Sequence, residues 1–199
     1  LFMLLGQRTV QYAALKVRDV YVAYASDGSS VYTLRIPRAK QRHQLSRTEF
    51  KDRVLIPQIG ELLIRYSSEV RAAFQGILLD PSDAPLFPAR RRLGSEPEGF
   101  EYHRTAQALS HELKNVLGCL SAVSERTGEC LHITATRFRR TMATRAAMEG
   151  HGELIIAELL DHSDTQNIGV YIEARPEIVE RIDRAIAMYL APMAQAFAG

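Results

Sequence analysis

The tightest constraint on the fold is that strand-forming sequence is confined to one short stretch near the start of the chain. Val20-Tyr-Val-Ala-Tyr24 and Val31-Tyr-Thr-Leu-Arg-Ile36 are dense in β-branched and aromatic residues. They flank the turn residues Asp27-Gly-Ser-Ser30, which is a hairpin signal. A third strand is expected over Asp52-Arg-Val-Leu-Ile-Pro57, reached across a basic loop over 37–51. Almost everything else carries helical periodicity. The spacing predicts helices over 3–17, 58–75, 103–120, 137–149, 152–160, 164–173 and 176–197. In the helix over 58–75, Ile59, Leu62, Leu63, Tyr66, Val70 and Phe74 form the apolar stripe. The expected fold class is α+β: mainly helical, with a small three-stranded antiparallel sheet.

Residues 79–99, with Pro81, Pro85, Pro88 and Pro97, read as a surface connection that carries Arg90-Arg-Arg92, so one domain over 1–199 is expected. Its bulk properties fit: 199 residues with 46% hydrophobic and 24% charged residues suffice for one well-buried core. Apolar runs stay far below the roughly 18 residues of a membrane span. No signal region opens the chain, so a cytoplasmic location and no membrane partner are expected. Cys119 and Cys130 form no metal-ligand spacing and are expected to be buried thiols. Leu1-Phe-Met-Leu-Leu5 starts inside an apolar run without a cap, so the chain is expected to be a fragment of a longer one.

The formal net charge of +2 conceals opposite local balances. From Arg35 to Arg53 seven basic residues face two acids, whereas from Glu149 to Asp183 nine acids face two arginines. A polyanion-binding face and a solvated mosaic both fit that distribution.

The residues that carry chemistry lie late in the chain. His162 and Tyr171 are nine positions apart, downstream of the arginine-rich stretch Thr136-Arg-Phe-Arg-Arg-Thr-Met-Ala-Thr144. A tyrosine of pKa about 10 is only about 0.1% ionised at neutral pH. To attack phosphorus it therefore needs cations that hold the phosphate and favour the phenolate, the work suited to arginine and histidine. Taken singly, Tyr171 reads as a packing residue, His162 as a helix-end histidine and Arg8 as an ion-pair partner. Only their joint occurrence points to chemistry.

Three segments together resemble the catalytic domain of the tyrosine recombinases, or phage integrases. Gly6-Gln-Arg-Thr-Val-Gln-Tyr-Ala-Ala-Leu15 looks like the family's T-G-x-R-x-x-E-x-x-x-L segment, with Arg8 at the arginine. Thr136 to Thr144 resembles H-x-x-R-H-T-x-A-T, with Arg139 as the second arginine. Leu160-Asp-His-Ser163 followed by Tyr171 resembles the last box, with His162 23 residues beyond Arg139. Pro85-Leu-Phe-Pro88 also resembles a short stretch common between these boxes. Three positions depart from the pattern: Gln11 stands for a glutamate, Thr136 for a histidine and Asp161 for a glycine.

The resemblance implies that Tyr171 attacks a DNA phosphate held by Arg8, Arg139 and His162, leaving a 3′-phosphotyrosyl enzyme and a free 5′ hydroxyl. A lysine between the second and third strands would protonate the leaving oxygen; Lys40 is favoured for its R-x-K-x-R run and Lys51 is the alternative. Thr136 is left as a possible phosphate contact, since a hydroxyl donates a hydrogen bond but exchanges no proton near neutral pH. Arg38, Arg42, Arg137 and Arg140 are the candidate DNA-backbone contacts. The phosphotyrosyl link conserves the bond energy, so neither cofactor nor metal is expected. The implied partners are double-stranded DNA and further copies of the chain, assembled as a tetramer, with an amino-terminal DNA-clamping domain before Leu1. A DNA-binding module with a decayed site and a helical interaction domain without DNA binding are the alternative readings. A type IB topoisomerase would share the chemistry, but the boxes and their compact spacing look like integrases.

Overall fold

The computed structural model describes residues 1–38, 47–94, 98–118 and 122–161. They fall into two compact units, Gln7–Ala135 and the terminal stretch Leu1–Gly6 with the chain from Thr136. The helices expected over 164–173 and 176–197 lie outside the described residues, as does most of the basic loop.

In the larger unit, β1 (Val20–Tyr24), β2 (Ser30–Pro37) and β3 (Phe50–Val54) form one antiparallel sheet in the order β1-β2-β3. Val20 pairs with Leu34 across the first hairpin, and Pro37 with Phe50 across the second. β3 starts two residues earlier than expected, and Ile56 and Pro57 do not belong to it. Pro57 has no N–H for a ladder, and its fixed φ instead suits the first position of α3 (Pro57–Ala73).

The buried face of α3 is Gly60, Leu63, Ser67, Val70 and Phe74. That stripe is rotated from the expected one, and Leu62 is 48% exposed. Gly60 explains the rotation. A Cβ there would lie 2.1 Å from Cγ of Tyr32, so only glycine allows α3 to lie this close to the sheet. Val17, Val70, Phe74 and Ala84 form the nearby core, with the Tyr102 ring edge-on to Phe74 at 5.5 Å.

The helix expected over 3–17 is broken into α1 (Phe2–Leu5) and α2 (Thr9–Ala13). Gly6, at φ 58°, ends α1 in the left-handed conformation that glycine adopts without penalty. α4 (Ala106–Gly118) packs on α2. It begins after Thr105, whose Oγ1 accepts from the Ala108 N–H at 3.1 Å. Cys130 is exposed, contrary to expectation, because it sits in a turn outside both cores and bridges only to Val123. Cys119 lies outside the described residues.

The second unit is built on α5 (Ala135–Met148) and α6 (Glu153–Leu160). Ala143, Ala146, Ala147, Ile156, Ala157 and Leu160 make its core. Three alanines on α5 leave room for the isoleucine and leucine of α6, the small-against-large pairing that close packing requires. Among the described residues no helix is long and apolar enough to cross a membrane.

Candidate active site

Arg139 is the pivot of the smaller unit. It is 9% exposed, on the same face of α5 as the core alanines, while Thr136, Arg137 and Arg140 are exposed. Its Nη1 donates to the carbonyl oxygen of Gly6 at 2.8 Å, and its Nη2 donates to that of Leu160. One planar guanidinium thus ties the end of α1 to the end of α6. The stretches it holds lead to the other candidates: Gly6 is two residues before Arg8, and Leu160 two residues before His162. Charge-assisted bonds to buried carbonyls make this arginine costly to replace.

Asp161 follows Leu160 in the left-handed conformation, φ 53°, which glycine adopts at less cost than a residue with a Cβ. It is buried and caps the end of α6.

Arg8 caps α2 in the larger unit. Its backbone N–H donates to Oε1 of Gln11 at 3.0 Å, and Nε2 of Gln11 donates to the Pro37 carbonyl at 3.2 Å. A glutamate could accept the first bond but not donate the second, so an amide suits this position. Gln11 thereby fastens the Arg8 turn to the end of β2. Arg8 itself is half-buried, and its guanidinium has no ion-pair partner among the described residues.

Of the lysine candidates, Lys51 lies in β3 opposite Ile36 and is half-buried. Lys40 lies outside the described residues, as do Arg42, His162 and Tyr171. Arg38 extends the β2–β3 ladder, its N–H donating to the Glu49 carbonyl at 2.8 Å and its guanidinium meeting the Glu49 carboxylate at 3.4 Å.

The basic run is less available than its charge suggests. Arg47 makes a fork-to-fork pair with Asp19, at 2.6 Å and 2.7 Å, and also donates to the Ala14 carbonyl. Both side chains are nearly buried, 10% and 2% exposed, so this arginine is structural. The guanidinium groups of Arg35 and Arg47 each lie over the Phe50 ring, at 4.9 Å and 5.1 Å from its centre. Nothing in the local sequence marks the pair, because Asp19 is 28 residues away.

His103 was also unmarked by any motif. It is 2% exposed, its ring tilted against Phe100 at 4.7 Å, and neither ring nitrogen has a partner among the described residues. Burial, helped by the positive charges of Lys16 and Arg47, pushes its pKa down to about 3. It is a neutral imidazole at physiological pH.

No family model matches the sequence, and no curated protein is recognisably similar to it. Solved structures are. The chain is similar to the XerA recombinase, with 14% identity and a TM-score of 0.53 over 90% of this chain and 53% of that one. It is also similar to the XerH site-specific recombinase in a post-cleavage complex with its palindromic difH substrate, with 17% identity and a TM-score of 0.54 over 94% of this chain and 43% of that one. The chain therefore spans about half the length of the structures it matches. At this identity the likeness concerns the fold, and the six helices with one three-stranded antiparallel sheet described above match the recombinase catalytic-domain fold.

Proposed function

We propose that this chain is the catalytic part of a site-specific DNA recombinase that cleaves and rejoins strands through a 3′-phosphotyrosyl intermediate. The phenolic oxygen of Tyr171 forms a bond to the scissile phosphorus, and the bond from phosphorus to the 5′ oxygen breaks. Arg8, Arg139 and His162 neutralise the charge that builds on the non-bridging oxygens, the same preorganised stabilisation as an oxyanion hole. The departing 5′ oxygen takes a proton from Lys40 or Lys51, acting as general acid. The 5′ hydroxyl of another strand then attacks the phosphotyrosine and regenerates the phenol. Strand exchange of this kind brings several copies together, and a tetramer on duplex DNA fits it.

The observation that carries this reading is the double anchorage of Arg139 within a recombinase fold. A buried arginine on α5 binds the backbone just ahead of Arg8 and just ahead of His162. Its position therefore couples the segments on which the other proposed phosphate ligands stand. Exposed Thr136, where the resembling family has a histidine, favours a second reading, a DNA-binding module that no longer cleaves.

A duplex nicked close to the cleaved phosphate separates the two readings. The short strand diffuses away after attack and traps the covalent complex. Under the first reading the wild-type chain accumulates this complex and Tyr171→Phe does not. Under the second, both bind DNA with a steep salt dependence and neither becomes attached.

A further inference from the structure

We propose that Arg90, Arg91 and Arg92 form a built phosphate-binding bulge that grips the backbone of duplex DNA. This rests on the recombinase reading and adds to it a contact surface outside the sequence boxes.

The backbone shapes the bulge. The N–H of Ala89 donates to the Tyr102 carbonyl at 2.8 Å, and the N–H of Leu93 donates to the Glu101 carbonyl at 2.6 Å. The two acceptors are adjacent residues while the two donors are four apart, so the three arginines between them are forced out of the pairing. This is an enlarged version of the β-bulge, in which extra residues on one strand are pushed away from its partner. The base is firmly mounted. Arg104 N–H donates to the Phe87 carbonyl at 3.1 Å, and Pro88 bridges His103. Further back, Leu86 N–H donates to the Leu15 carbonyl and Val17 N–H to the Ala84 carbonyl, both at 2.8 Å. The segment is thus stitched to the stretch that leaves α2, the helix capped by Arg8.

Several arginines of this unit are committed to carboxylates. Arg18 meets Asp83 at 2.6 Å, Arg47 meets Asp19 at 2.6 Å, and Arg104 meets Glu112. Arg90, Arg91 and Arg92 are all exposed, and only Arg92 has a carboxylate nearby, Glu101 at 3.9 Å. Among the described residues Arg90 and Arg91 have no ion-pair partner. Three adjacent exposed cations repel one another, and a bound external anion relieves that repulsion. Guanidinium groups bind phosphate through two parallel hydrogen bonds, and duplex DNA offers one negative charge about every 1.7 Å along its axis. An acidic protein surface offers no such density.

The test is the slope of log K against log salt for a duplex of mixed sequence. It compares the wild-type chain with a variant carrying Arg90→Ala, Arg91→Ala and Arg92→Ala and one carrying lysine at all three positions. Each lost phosphate contact lowers the slope by about 0.9, so the alanine variant is expected to lose up to about 2.7 and the lysine variant to regain most of it. If the alanine variant does not fold, Arg90→Ala and Arg91→Ala singly are each expected to lose about 0.9. Slopes equal to wild type in folded alanine variants overturn the proposal and assign the bulge to another acidic partner. A wild-type chain without salt-dependent DNA binding overturns the recombinase reading itself, and the bulge with it.

Discussion

Arg139 donates a hydrogen bond to the carbonyl oxygen of Leu160, and that carbonyl lies two residues before His162. The arginine proposed to hold the phosphate therefore also holds the end of α6. The proposed phosphate contact and the stability of this unit share one side chain.

Replacing Arg139 by lysine keeps the charge and removes the fork. A single ammonium cannot reach the Gly6 and Leu160 carbonyls with the same planar geometry, so one buried acceptor loses its donor. Urea unfolding of Arg139→Lys is expected to show a loss of about 1–3 kcal/mol, the cost of one unsatisfied buried group. An unchanged midpoint would mean that the two carbonyl bonds contribute nothing to the fold.

The Asp19–Arg47 pair gives a second, independent prediction. With Arg47 10% exposed and Asp19 2% exposed, removing the carboxylate leaves a buried cation alone. Asp19→Ala is expected to cost about 3–5 kcal/mol. Removing both charges with apolar residues should recover much of that loss, because the uncompensated ion is then gone. A double-mutant cycle by chemical denaturation checks both statements, and additive single losses would contradict them.

His103 predicts a pH dependence whose sign is fixed. Its folded pKa of about 3 lies below the unfolded value near 6.5, so the unfolded chain binds a proton that the folded chain refuses. The stability tied to its neutral form is complete above about pH 6.5 and falls as the pH drops from there toward 3. The slope is up to about 1.4 kcal/mol per pH unit for one proton. His103→Phe removes the titrating group and keeps a ring against Phe100. Unfolding midpoints from pH 7 to pH 4 are expected to fall less steeply in the variant than in wild type, and equal slopes would remove His103 from the account.

These residues also show what the sequence could and could not reveal. The hairpin of β1 and β2 was legible because β-branched residues flank an Asp-Gly turn, a signal that lies within a dozen residues. The break after α1 was available in Gly6, which marks a helix end, but the apolar spacing on either side masked it. The rotated face of α3 was not legible, since it depends on Tyr32 of a distant strand meeting Gly60. Arg139 could be singled out by its neighbours in sequence, whereas its partners could not, because backbone carbonyls leave no mark in the residue types. Arg47 and Asp19 carry no motif and meet only through the fold.

The account turns on the nucleophile. Its most direct measurement is mass spectrometric mapping of the protein covalently captured on a nicked duplex, after digestion of both protein and DNA. The prediction is a nucleotide attached through its 3′ phosphate to the peptide that contains Tyr171, with no such adduct in Tyr171→Phe. A nucleotide on any other residue, or no covalent product from a wild-type chain that binds the duplex, would contradict it.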